Sequence, residues 1–202
     1  MAYPTVSAPY GFQPINRVDG MPYAGAIRQI PITASYGTAI YNGDVVKLVV
    51  GGTVEKSGIG SNVTAEPTLG VLVGCQYVNS SGQTVQAQYY PTGVTNAVAY
   101  VVLDPQAAFK AAVTTSGNTS TVTYVTRAVV GTNMGIATGS GSNVTGDSGL
   151  SVISGSAANT AVLPVRVVDV VPETAINSTA FREVIVKFNQ PQLEVTLGNN
   201  AS

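Results

Sequence analysis

Short apolar runs, broken by turn residues about every 8 to 12 positions, dominate this chain and leave little room for anything but β-structure. The runs VVKLVV (45–50), LGVLVGCQYV (69–78), AVAYVVL (97–103), TAVLPVRVVDVV (160–171) and FREVIVKF (181–188) are set apart by Gly, Asn, Ser and Pro. Residues 69–78 are nearly continuous in apolar character, the mark of a strand buried on both faces or at a core edge. In 83–90, Val85, Ala87 and Tyr89 alternate with Thr84, Gln86 and Gln88, which suits a half-buried strand. Asn42-Gly43 reads as a type I′ hairpin turn, and with Gly51-Gly52 it makes 38–56 a three-stranded meander. Pro164 marks 160–171 as an edge or bulged strand, and Pro31 does the same for 26–34.

One segment suits a helix. Asp104 stands as an N-cap, Pro105 at the first helical position, and 105–113 follows, although 109–113 equally suits a strand. Residues 116–160 are rich in Gly, Ser, Thr and Asn, with weak strand patterns over 121–126, 133–138 and 150–154. They read as a polar, loop-rich outer region. The expectation is an all-β barrel or sandwich with at most one short helix.

Ahead of this body (26–190) stands a leader of different character, MAYPTVSAPYGFQPINRVDGMPYAG, and a polar tail (191–202) follows it. Pro4, Pro9, Pro14 and Pro22 exclude a regular helix or a central strand over 1–25. Tyr3, Tyr10, Phe12 and Tyr23, with only Arg17 and Asp19 charged, separate the leader from disordered tails, which are poor in aromatics and rich in charge. It reads as an extended arm lying on another surface. Side-chain burial alone does not offset the entropy of ordering so long a segment, so backbone pairing with a neighbouring chain is expected. Docking on its own barrel is the alternative. Tyr3, Pro4, Tyr10, Phe12, Ile15 and Tyr23 are the candidate contact residues for that surface.

Charged residues make up 9% of the chain, against about 25% in an ordinary soluble domain. A surface so poor in charge suits a protein covered by partners. A pI near 5.2 without a basic cluster lacks the footprint of a nucleic-acid binder. The chain has no histidine and a single cysteine, Cys75, which rules out imidazole-based triads, an internal disulfide and an ordinary zinc site. It has no Gly-Lys pair of a phosphate loop, and Gly139-Ser140-Gly141 lacks the context of a dinucleotide fingerprint. The acids are scattered, with Asp104 read as a cap and Asp169 as a solvent-facing strand residue. The reading contains no catalytic, cofactor-binding or metal-ligating residues and no membrane span, and expects folding in a cytoplasm without a cleaved signal.

Several stretches together resemble the decoration (cement) proteins of tailed bacteriophage capsids. They are APYGFQPINRVDGMPYAGAIRQIPI at the start, YNGDVVKLVVGGTVEKS and EPTLGVLVGCQYVN in the middle, and LPVRVVDVVPET and FREVIVKFNQ near the end. The likeness runs from the leader to Gln190. Each motif is weak singly, because Gly-Asp-Val-Val hairpins are common in β proteins. The resemblance implies a β-barrel or β-tulip-like body and a non-enzymatic role on the capsid exterior after synthesis in the host cytoplasm. It also implies bridging of neighbouring major capsid protein subunits, often by homotrimers, with no nucleic acid or membrane as partner. Two other readings stand beside it: a phage tail, connector or fibre component, and a carbohydrate-binding β-sandwich or glycosidase. The lack of tryptophan weighs against the last.

Overall fold

A computed structural model describes residues 6–23, 27–59, 68–116, 122–160, 162–174, 180–189 and 192–193. Among these the chain forms twelve strands: β1 Gln13–Arg17, β2 Ile27–Pro31, β3 Val45–Leu48, β4 Val54–Lys56, β5 Gly70–Val78, β6 Thr84–Ala87, β7 Ala97–Val102, β8 Ala107–Thr114, β9 Asn133–Ala137, β10 Ser151–Ala158, β11 Val165–Val170 and β12 Glu183–Phe188. The one helical turn among the described residues is a 3-10 turn at Arg127–Val129. The fold is all-β, as the turn spacing predicts.

The strands form two sheets. The first runs β1-β8-β10-β9-β11-β12, and pairing of β12 with β8 closes β8, β10, β9, β11 and β12 into a five-stranded barrel. Alternation sends one face of each strand inward. Phe109, Ala111, Val113, Met134, Ile136, Val152, Val167, Val184 and Val186 fill the interior. The second sheet runs β2-β7-β5-β3-β4, with β6 on the far half of β5. It rolls up on itself where Ile32 bridges Val54 in parallel and the Thr33 N–H donates to the Val54 carbonyl at 3.3 Å. A second core fills that curl, built from Val46, Leu72, Cys75, Ala99, Val101 and Tyr90.

The two cores meet at β3, β5 and β7. Val45, Val71 and Val102 join the barrel core, while their neighbours Val46, Leu72 and Val101 join the other. These strands are therefore buried on both faces where they abut the barrel, which accounts for the near-continuous apolar run of 69–78.

Two local expectations are corrected. Only Gly43 of the Asn42-Gly43 pair has positive φ, at 87°, so the turn is not type I′. The segment before it does not pair with β3. Ile40 bridges Tyr90 and Asn42 bridges Asp147, so the three-stranded meander reduces to the β3–β4 hairpin. Residues 105–113 take the strand alternative. The Asp104 side chain accepts from Gln106 N at 2.8 Å and its carbonyl from Ala107 N at 2.9 Å, so it caps a tight turn rather than a helix.

The stretch 116–160 supplies β9 and β10 of the barrel itself. Small residues permit this. Ser156 Oγ accepts from Gly135 N at 2.7 Å, and Gly155 N donates to the Thr115 carbonyl at 3.1 Å.

Candidate contact surface

The leader lies along its own barrel over the described residues. β1 pairs antiparallel with β8, from Gln13 opposite Lys110 to Arg17 opposite Ala107, with a bulge at Ile15. Pro14 costs nothing there, because β1 is an edge strand. Gly11 N donates to the Leu150 carbonyl at 3.1 Å and Phe12 N to the Gly43 carbonyl at 3.0 Å, which ties the leader to both sheets. A Cβ at Gly11 would stand 2.6 Å from the Ser148 Cβ and 2.7 Å from the Gly43 carbonyl oxygen, so glycine is required at that crossing.

The expected contact residues divide accordingly. Phe12 is fully buried, its ring 5.4 Å from that of Phe188. The Tyr10 hydroxyl donates to the Glu183 carboxylate, and Lys110 Nζ lies 3.2 Å from Glu183 Oε1 and 5.8 Å from the centre of the Tyr10 ring. Burial, then the Glu183 hydrogen bond and charge, push the Tyr10 phenol well above its ordinary pKa. Ile15 is half-buried at the bulge, and Tyr23 is half-buried against the barrel core. Tyr3 and Pro4 lie outside the described residues. The structure thus joins Tyr10, Phe12 and Tyr23 to the chain's own body.

A second buried centre also serves the fold. Asp44 is fully buried; its carboxylate accepts from Ser148 Oγ at 2.6 Å and Tyr41 N at 2.8 Å and meets Lys56 Nζ at 2.7 Å. It ties the β3–β4 hairpin to the loop before β10. Every polar atom of this carboxylate faces a partner within its own chain, which is the arrangement of a staple. Cys75 is buried, and burial raises its thiol pKa to about 11, so it remains a protonated apolar filler. Among the described residues no group of three or more His, Cys, Asp or Glu converges to hold a metal ion.

Part of what the fold leaves exposed lies where the two sheets join. The chain turns at 17–21, with Arg17 N bonded to the Met21 carbonyl and Val18 N to the Gln106 carbonyl, both at 2.8 Å. Arg17 Nε lies 3.2 Å from Asp104 Oδ2, which fixes the turn against the β7–β8 connection. The turn presents Val18 and Met21, 41% and 58% exposed. Beside that connection runs β2, with Ile27, 46% exposed, opposite Val102.

β2 is the more telling element. Arg28 and Gln29 are exposed as well as Ile27, and Ile30 is only half-buried. Ile32 N donates inward to the Ala97 carbonyl at 2.9 Å, so by alternation Ile30 and Arg28 also point their N–H groups at β7. Ile27, Gln29 and Pro31 then face outward. Pro31 has no N–H to lose there, while Ile27 and Gln29 leave theirs unpaired among the described residues. β4 takes up this edge only from Ile32 onward.

Among the described residues, the outer face beside β2 is uncharged at Gln29, Tyr100 and Gln76. Gln29 lies opposite Tyr100, whose hydroxyl donates to Gln76 Oε1 at 3.0 Å, and Gln86 lies opposite Gln76. An open groove of about 360 Å³ between Pro31, Gln76, Val78, Asn96 and Val98 ends this face. The sequence signal for the edge was Pro31. The aromatic leader, by contrast, packs on the chain's own body at Tyr10, Phe12 and Tyr23. No family model, curated protein or solved structure matches the chain.

Proposed function

We propose that this protein is a non-enzymatic structural component of a tailed-phage virion, bound to the outside of the capsid and bridging neighbouring major capsid protein subunits. The observation that carries the reading is an open strand edge, β2, beside an exposed apolar turn at Val18 and Met21, on a chain with few charges. An open edge offers hydrogen bonds to any extended partner segment, and the apolar turn supplies contact area to hold it. The ionisable centres at Asp44 and Glu183 are spent on internal ties. Many weak copies of such a contact, repeated over an icosahedral lattice, reinforce one another through effective concentration.

The test is co-sedimentation with capsid shells that lack the protein. Wild type pellets with the shells at a copy number in the hundreds, by the reasoning of a lattice-wide clamp. Val18→Asp with Met21→Asp, both at exposed positions, leaves the fold intact by circular dichroism and abolishes pelleting. A wild-type protein that stays in the supernatant overturns the reading, and a copy number of a few to tens reassigns it to the tail or connector.

A further inference from the structure

We propose that the open edge of β2 is filled by the C-terminal segment 193–197 of a second copy of this chain. The inference concerns self-assembly and stands whether or not the assembled form binds a capsid.

Three observations meet here. The first is where the chain leaves its body. Gln192 is buried and held by three bonds: its N–H to the Thr68 carbonyl at 2.7 Å, its Oε1 from Leu48 N at 2.7 Å, and its Nε2 to the Leu48 carbonyl at 2.9 Å. Leu193 then stands 60% exposed. The second is the pattern that follows. Leu193, Val195 and Leu197 alternate with Glu194 and Thr196, the period of a strand that buries one face. The third is the fit to β2. Ile27, Gln29 and Pro31 share one face of β2, and Arg28 and Ile30 share the other.

Set parallel to β2, the segment matches it residue for residue. With Val195 opposite Gln29, Leu193 and Leu197 fall beside Ile27 and Pro31, and Glu194 and Thr196 fall on the face of Arg28 and Ile30. Arg28 has no ion pair among the described residues, so Glu194 meets a free cation. The backbone N–H groups of Ile27 and Gln29 gain acceptors, and the exposed Ile27 gains apolar cover. Exchange of this kind closes into a ring, or into a reciprocal pair, without any change in the body.

The full chain carrying Gln29→Cys and Val195→Cys tests the geometry. Mild oxidation is expected to give disulfide-linked multimers on non-reducing gels, while each single cysteine variant does not. A cross-link that forms within one chain, or none at all, overturns the proposal. A second measurement needs no covalent bond. Light scattering of wild type should give a multiple of the 20.6 kDa chain mass. Arg28→Glu alone and Glu194→Arg alone should each weaken association about tenfold, and the double reversal should restore it. A wild type that stays a single copy at its highest soluble concentration, or single reversals that leave association unchanged, also overturn it. Shell binding by a single-copy protein would refute the exchange and leave the capsid role standing.

Discussion

Phe12→Ala separates a leader that merely lies on a surface from one that helps build the body. Phe12 is fully buried in the barrel core, with its ring 5.4 Å from that of Phe188, which in turn lies 5.2 Å from Phe109. Removing the ring forfeits about 2–3 kcal/mol of transfer energy and about 1 kcal/mol of aromatic pairing. The neighbours cannot collapse fully into the gap, because Phe12 N is held to the Gly43 carbonyl and the adjacent Gly11 is wedged against Ser148. A residual cavity adds to the loss, for a total of about 3–5 kcal/mol. For a chain of this length, each kcal/mol is worth about 2–4 °C in Tm. Urea unfolding followed by tyrosine fluorescence and circular dichroism, with wild type and variant sharing one m-value, measures the change. A loss under about 1 kcal/mol would refute the placement of Phe12 in the core, since that is the cost of trimming a surface arm.

Two further outcomes follow from the buried ionisable groups. Asp44→Ala strips Lys56 of its partner and leaves the Ser148 hydroxyl and Tyr41 N–H without an acceptor, so urea unfolding should record a loss of about 3 kcal/mol or more. Cys75 has a folded pKa raised to about 11 from an ordinary 9.0, so its contribution to stability is whole below pH 9 and is lost as pH rises from 9 toward 11. Stability measured across that window should fall more for wild type than for Cys75→Ala, and thiol reagents at pH 8 should label Cys75 only as fast as the chain opens.

The sequence made the strands legible wherever local pattern and tertiary environment agreed. Residues 69–78 and 181–188 read as strands and are β5 and β12, because burial on one face or both leaves an apolar imprint that no neighbour overrides. Asn42-Gly43 misled for the opposite reason. Its glycine is needed for close approach: a Cβ at Gly43 would stand 2.9 Å from the Tyr10 carbonyl oxygen and 3.0 Å from Phe12 N. A crossing of two distant segments leaves the same letters as a hairpin. Residues 133–137 and 151–158 were faint because Gly135, Ala137 and Ser151, on the face opposite the inward Met134, Ile136 and Val152, are small residues that carry little hydrophobic signal. The leader was legible as extended, edge-restricted and aromatic. Its destination was not, since the same prolines and rings suit a neighbour's surface and its own barrel equally well.

The distribution of charge explains why the open edge matters more here than on an ordinary domain. Edge strands are usually guarded by charged side chains that make pairing with another chain unfavourable. This chain has few charges to begin with, and it places Asp44, Lys56, Lys110 and Glu183 in internal pairs. Of the cations near the sheet junction, Arg17 is held by Asp19 and Asp104. β2 therefore keeps one guard, Arg28, and one blocked position, Pro31. A single cation is a weak barrier and a good address: it repels little, and it favours a segment that brings one acid at the matching position. An edge defended so sparingly, on a chain with so little charge elsewhere, is the one the proposed exchange would cover.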